Sequence, residues 1–236
     1  RRVLDYAAVA GLLPLCHAED HALAKGGAIH EGLVSTRLGL PGIPAQAEIN
    51  AVTRDINMVE LSGKPLHFCH LSTKGAVEAV RAAKKKGLPV SCETAPHYLF
   101  LTHEDLGDYD ANAKMNPPLR TAEDRAALRE ALADGAIDAV ATDHAPHSVL
   151  EKDVEFIDAA FGIIGLETSL PLVLELVRGG VISPARLVEV MSLNPARLLK
   201  VEAGTLAPGR PADVTIVDPE VEYTLKPSDS KSLSRN

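Results

Sequence analysis

Short apolar runs alternate with longer stretches in which apolar residues recur every third or fourth position. Residues 12–16, 66–69, 89–93 and 137–142 are short runs bounded by turn formers, and they predict strands. Between them lie helical patterns. Residues 45–61 set Ile49, Val52, Ile56 and Val59 on one face, and residues 73–86 set Ala76, Val77, Val80 and Ala83 on another. The second helix ends in Lys84, Lys85 and Lys86, which suit the negative end of a helix dipole, and Gly87 stops it. Further helices are predicted over 122–133, 165–177 and 184–200. Ser183 caps the last of these, and Pro184 occupies its first position. Val3, Leu4 and Ala7 are already in helical spacing, so the chain is expected to start inside an element of a larger protein.

Strands alternating with helices imply parallel βαβ units and an α/β fold. The apolar strand runs suit a sheet covered on both faces, and the pattern fits a barrel and an open sheet equally. Residues 96–120 and 144–160 read as long polar loops, a length usual for functional segments. After Val201 the style changes: residues 204–210 are turn chemistry and 212–217 a β run. This predicts one unit over 1–202 and part of a separate β unit over 203–236.

Composition narrows the function. The 236 residues are 46% apolar and 24% charged, ordinary globular usage. Lys and Arg number 24 against 32 Asp and Glu, a net charge of −8 without a basic block, which argues against nucleic acid or a membrane surface as partner. Aromatics are 3%, too few for base-stacking platforms, and no apolar run approaches the roughly 20 residues that span a bilayer. Cys16, Cys69 and Cys92 cannot make a paired framework, and residues 1–5 have no apolar signal core, so a reducing, cytoplasmic setting is expected.

Three predicted strands end in metal-ligand residue types: Cys16-His17-Ala18-Glu19-Asp20, Cys69-His70-Leu71-Ser72, and Thr142-Asp143-His144-Ala145-Pro146-His147. Parallel α/β folds gather ligands at the C-terminal ends of their strands. Neutral imidazole and carboxylate are good donors to zinc and similar ions, and a carboxylate beside an activated water can act as general base. Each residue taken singly also fits a plain structural role; the three together weaken that reading. Strand alternation turns Cys16, Cys69 and His67 to the opposite side, as packing. His21, His30 and His103 lie in polar or helical stretches and read as exposed, while His97 could approach the site. In Lys114-Met115-Asn116-Pro117-Pro118-Leu119-Arg120 the prolines would hold Asn116 extended, its amide open to a small polar ligand. Residues 161–165, Phe-Gly-Ile-Ile-Gly, read as a close backbone approach with free N–H groups for an anionic or carbonyl group.

With these motifs the chain resembles the dihydroorotases, single-chain bacterial type, of the amidohydrolase superfamily. The resemblance covers nearly the whole chain. Asn-Pro-Pro-Leu-Arg combined with Asp-His-Ala-Pro-His is its most specific part. It implies the C-terminal half, strands five to eight, of a metal-dependent (β/α)8 barrel, with part of a small β-sandwich. It also implies two zinc ions per complete site, with His17, His70 and Asp143 as ligands and Asp143 as the catalytic acid/base. Asn116, His147, Phe161 and Gly162 match substrate-binding residues, His147 towards a carboxylate. The family's first-strand His pair, the substrate-binding Arg near it and the bridging carboxylate are absent and would lie before Arg1. The implied reaction is reversible hydrolysis of dihydroorotate to N-carbamoyl-aspartate in pyrimidine biosynthesis. A homodimer and an aspartate carbamoyltransferase partner are compatible with the resemblance. The rivals are another cyclic-amide hydrolase, of dihydropyrimidinase or allantoinase type, and a non-catalytic dihydroorotase-like scaffold for that transferase.

Overall fold

The computed structural model describes residues 1–236 apart from 227. The chain opens with α1 (Arg2–Val9), β1 (Leu15–Cys16), α2 (His21–Ala24), β2 (Ile29–His30), α3 (Leu33–Leu38) and β3 (Gly42–Ile43). Then come α4 (Ala45–Ser62), β4 (Leu66–Phe68), α5 (Lys74–Lys85), β5 (Val90–Thr94) and α6 (Pro96–Phe100). Of the later elements only β6 (Ala139–Val140) is a strand: α7 (Ala122–Asp134) precedes it, and α8 (Val149–Lys152), α9 (Ser169–Arg178), α10 (Pro184–Val188) and α11 (Asn194–Leu199) follow.

The main sheet has the order β1-β4-β5-β6, and every pairing is parallel. Register sets Cys16 beside Phe68, Phe68 beside Cys92, and Thr94 beside Val140. The C-terminal ends of all four strands therefore lie together. β2 and β3 form a separate parallel pair, an excursion between β1 and α4.

The predicted helices form for the reasons the pattern gives. Val52 and Val59 of α4, Val77 and Val80 of α5 and Leu128 and Leu132 of α7 lose nearly all their exposure to one continuous core with Phe68 and Leu99. Each such burial contributes about 1.5–3 kcal/mol. Gly63 and Gly135 end α4 and α7 in the left-handed conformation that glycine adopts without a Cβ clash. Residues 189–193 widen into a π turn that joins α10 to α11, where Pro195 has no N–H for a regular ladder.

Several expectations change. Of the predicted strand at 12–16 only the last two residues pair, and of that at 137–142 only Ala139–Val140. Residues 96–120 and 144–160 are not bare loops, since α6 and α8 lie within them. The helix predicted from 165 begins at Ser169. The β run at 212–217 joins no ladder, and Ile216 is 93% exposed, because no partner strand stands beside it. No helix among the described residues is long and apolar enough to cross a membrane.

One buried carboxylate fixes the turn after β4. Glu48 of α4 accepts from the backbone N–H groups of Ser72 (3.1 Å) and Thr73 (2.9 Å) and from both their hydroxyls. Buried Arg120 donates its Nε to Ser72 Oγ (3.1 Å), and its Nη1 reaches His30 Nδ1 (3.1 Å) and the Ile43 carbonyl (3.0 Å). His30 is thus buried, not exposed as its polar surroundings suggested: it supplies the acceptor a buried guanidinium requires. Burial first, then the charges of Arg120 and His103, hold its imidazole down at about 4 from an ordinary 6.5.

Two outcomes are expected. Glu48→Ala leaves four buried donors without their acceptor and should destabilise the complete protein by about 3–5 kcal/mol, read as a lower urea midpoint; an unchanged midpoint refutes the clamp. His30 binds its proton more weakly folded than unfolded. Its stabilising effect is therefore full above pH 6.5 and declines as pH falls towards about 4. The melting temperature should drop across that window, and less steeply in His30→Gln, which keeps an acceptor but cannot take up a proton there.

Candidate active site

The parallel register carries the strand-end residues to one rim. His17 follows β1 directly, His70 lies two residues past β4, and Asp143 three past β6, while His97 sits in the first turn of α6 after β5. His17 Nδ1 and His70 Nε2 face each other at 3.0 Å, with ring centroids 4.7 Å apart. One of these nitrogens must carry a proton and the other a lone pair for the contact to be favourable. Burial, followed by the neighbouring His70, lowers the pKa of His17, which favours the neutral ring.

Asp143 Oδ2 lies 3.9 Å from His97 Nε2, in reach of a charge but not of a hydrogen bond. The His97 ring is buried, and burial, with His70 beyond it, pushes its pKa down to about 3. His97, left open by the sequence, therefore does reach the site. His70 and Asp143 both have positive φ, 37° and 48°, a conformation uncommon outside glycine. Such backbone persists where the surroundings over-determine it and clusters at functional positions.

Buried polar atoms without a partner mark the same place. They are His70 Nδ1, His97 Nε2, His103 Nδ1 and Asn116 Oδ1 among the described residues, and all but His103 belong to this rim. Vacant imidazole nitrogens beside a carboxylate fit a metal ion, whose ligands must be neutral imidazole and ionised carboxylate. No group of three His, Cys, Asp or Glu among the described residues is close enough to hold an ion unaided. The fit is that of a partial ligand set.

The second half of the rim is built from loops. Asn116, whose peptide bond to Pro117 is cis, donates Nδ2 to Glu19 Oε2 at 2.8 Å. A carboxylate only accepts, so the amide oxygen is the atom left over. Glu19 also meets His21 Nδ1 (3.0 Å) and lies 3.7 Å from His17 Nε2. Glu19 belongs to the motif after β1, where the sequence alone assigns it no role; its spacing of two from His17 at a strand end is the signal that marks it. Burial works to raise its pKa, but the bonds from Asn116 and His21 prevail and hold it below the ordinary carboxylate value.

His147 Nε2 meets the Phe161 carbonyl at 2.8 Å, and its Nδ1 lies 3.7 Å from Glu151. Phe161 stays partly exposed, with Lys114 Nζ 4.5 Å from its ring centroid. Gly162 has φ 142°, and a Cβ there would stand 2.6 Å from that of Ala145, so only glycine fits. The N–H groups expected to be free here are mostly engaged: Gly162 donates to Lys114 O, Ile164 to Asn236 O, and Gly165 to His144 Nδ1. The loop closes on its own protein because neighbouring carbonyls and a ring nitrogen reach it.

The remaining candidates behave as packing. His67 is buried against Ser91 and Glu93 across the sheet. His21 is exposed as expected, whereas His103 is largely covered, its ring 5.2 Å from that of His30. The cysteine thiols are all pushed up by burial, Cys92 to about 12.

The sequence matches the amidohydrolase family over residues 3–234. It is 52% identical over 236 residues to a dihydroorotase of Geobacter metallireducens and 54% identical over 238 residues to one of Anaeromyxobacter dehalogenans. Both matches cover this whole chain, which spans 56% and 55% of those relatives. Among solved structures, an L-hydantoinase (dihydropyrimidinase) from Arthrobacter aurescens superposes with a TM-score of 0.85 at 30% identity, over 96% of this chain and 52% of that one. A dihydropyrimidinase from Brevibacillus agri gives 0.77 at 29%, over 89% and 49%.

A thiol raised to about 12 and fully covered should resist alkylation. At pH 8 iodoacetamide should label Cys92 at least ~100-fold more slowly in the folded protein than in urea, read by peptide mass spectrometry. Equal rates would mean that the core at β5 opens freely.

Proposed function

The chain belongs to the amidohydrolase family, and from that premise we propose that it forms part of a dihydroorotase, hydrolysing the cyclic amide of dihydroorotate to N-carbamoyl-aspartate and closing the ring in reverse. The observation that carries this reading is the placement of His17, His70 and Asp143 just past the C-terminal ends of β1, β4 and β6 in one parallel sheet, on a chain about half identical to dihydroorotases. The chain spans about half the length of these relatives, and the whole activity rests with the longer protein. The four-stranded parallel sheet would supply the second half of a (β/α)8 barrel. Exposed Leu206, Val214 and Ile216 suit a β unit over 203–236 that pairs with strands from elsewhere.

His17, His70 and Asp143 would hold zinc together with donors from the rest of the protein. Metal held there would supply an acidified water and polarisation of the amide carbonyl. In hydrolysis a C–O bond forms as the ring C–N bond breaks. Asp143 takes the proton from water and returns it to the departing nitrogen. Its partial exposure and its distance from His97 leave the carboxylate free for that exchange. Asn116, oriented by Glu19, offers its amide oxygen to a ring N–H. The Phe161–Gly162 backbone sets the ring plane, and His147 grips the carboxylate by exchanging its bond to the Phe161 carbonyl. Together these contacts position the scissile amide.

The hydantoinase-like structures favour one other reading, a hydrolase of uncharged cyclic amides. A substrate panel on the complete protein tests both. Dihydroorotate should turn over, and dihydrouracil and hydantoin at least ~100-fold less well, because a site built for a carboxylate leaves polar groups unpaired without it. Removing metal with a chelator should abolish turnover and zinc should restore it. Asp143→Asn should lower kcat by about 10²–10⁴ with dihydroorotate still bound. Equal turnover on hydantoin, or an active Asp143→Asn enzyme, overturns the proposal.

A further inference from the structure

We infer that Asn236 is a positioning residue for the substrate-holding loops, and that it acts through its intact amide. Its side chain is almost wholly buried, and it lies between the two loops that carry His147 and Phe161–Gly162. Nδ2 donates to the Ala145 carbonyl (3.0 Å) and to the Gly162 carbonyl (2.9 Å). Oδ1 accepts from the His147 backbone N–H (3.2 Å) and from the Ser234 hydroxyl. The Asn236 carbonyl takes the Ile164 N–H at 3.0 Å. One amide thus uses both its donors and its acceptor to tie residue 145, residue 147 and residue 162 together. No other side chain of this size presents two donors and an acceptor in one plane.

The tie sets a distance that matters. Ala145 and Gly162 approach so closely that a Cβ on residue 162 would collide, and His147 Nε2 meets Phe161 O across the same gap. A carboxylate at 236 would face two carbonyl oxygens with no proton to offer, and a methyl group would leave both unpaired. Either change leaves the loops joined by the Ala145 N–H to the Ile163 carbonyl and the Gly165 N–H to His144 Nδ1, and loosens the placement of His147 and the Phe161–Gly162 backbone. Asn236 touches none of His17, His70 and Asp143, so the chemical step itself is not altered.

The inference rests on the reading of His147, Phe161 and Gly162 as substrate contacts. Its test uses the complete protein with Asn236→Asp, Asn236→Ala, His147→Ala and the His147→Ala/Asn236→Ala double variant. KM for dihydroorotate should rise about tenfold in the Asn236 variants, with kcat within about threefold of wild type. The double variant should be no worse than His147→Ala, because both changes remove one function. Amide exchange should quicken in residues 144–147 and 161–164 and nowhere else. An unchanged KM, additive losses, a fall in kcat at constant KM, or failure of both Asn236 variants to fold overturns the inference. If the wild-type protein does not hydrolyse dihydroorotate, the proposed function fails, and exchange alone then decides whether Asn236 ties the loops.

Discussion

A single carboxylate in the core holds the turn after β4, on which one edge of the strand-end rim depends. Glu48 sits on the helix that crosses from the β2–β3 excursion to β4, and its oxygens take four donors from Ser72 and Thr73. Those residues stand two and three positions after His70 and lead into α5, which the Thr73 side chain caps. The left-handed bend at His70 therefore cannot relax without surrendering buried hydrogen bonds. Arg120 extends the same network to the loop that bears Asn116 and to the excursion, through Ser72, His30 and Ile43. Three segments far apart in sequence are held together through Glu48 and Arg120.

The rim has two halves held by different forces. His17, His70 and Asp143 follow paired strands, so the ladder fixes their backbone on one side, and packed helices back it. Asn116, His147, Phe161 and Gly162 stand on loops whose shape depends on side-chain bonds to main-chain carbonyls. Lys152 is one such tie: its ammonium meets the carbonyls of Ala111, Lys114 and Ala160, and burial pulls its pKa down to about 8. Lys114 does the same for Phe156 and Ile157.

The pattern of apolar positions made the large elements legible, because burial of one helix face is periodic and local. α4, α5 and α7 lie within a residue or so of their expected limits. The pairing of β1, β4, β5 and β6 was legible only as alternation; the strand lengths were not, because only two residues of β6 meet a neighbour. His17, His70 and Asp143 could be picked out by their common place after apolar runs. His30 and Glu19 could not be given their roles, since these depend on partners 90 and 97 positions away, Arg120 and Asn116. The free N–H groups expected at 161–165 failed for the same reason: acceptors from Lys114, His144 and Asn236 arrive from elsewhere in the chain.

The two kinds of support have an evolutionary consequence. A substitution that breaks one lysine–carbonyl tie reshapes a loop and leaves the strand-end trio where it was. A substitution in the Glu48 network reaches His70 of that trio through the turn at Ser72 and Thr73. Under the proposed function, ring preference is therefore open to small changes in the loops, while changes near Glu48 reach a residue assigned to the hydrolytic step.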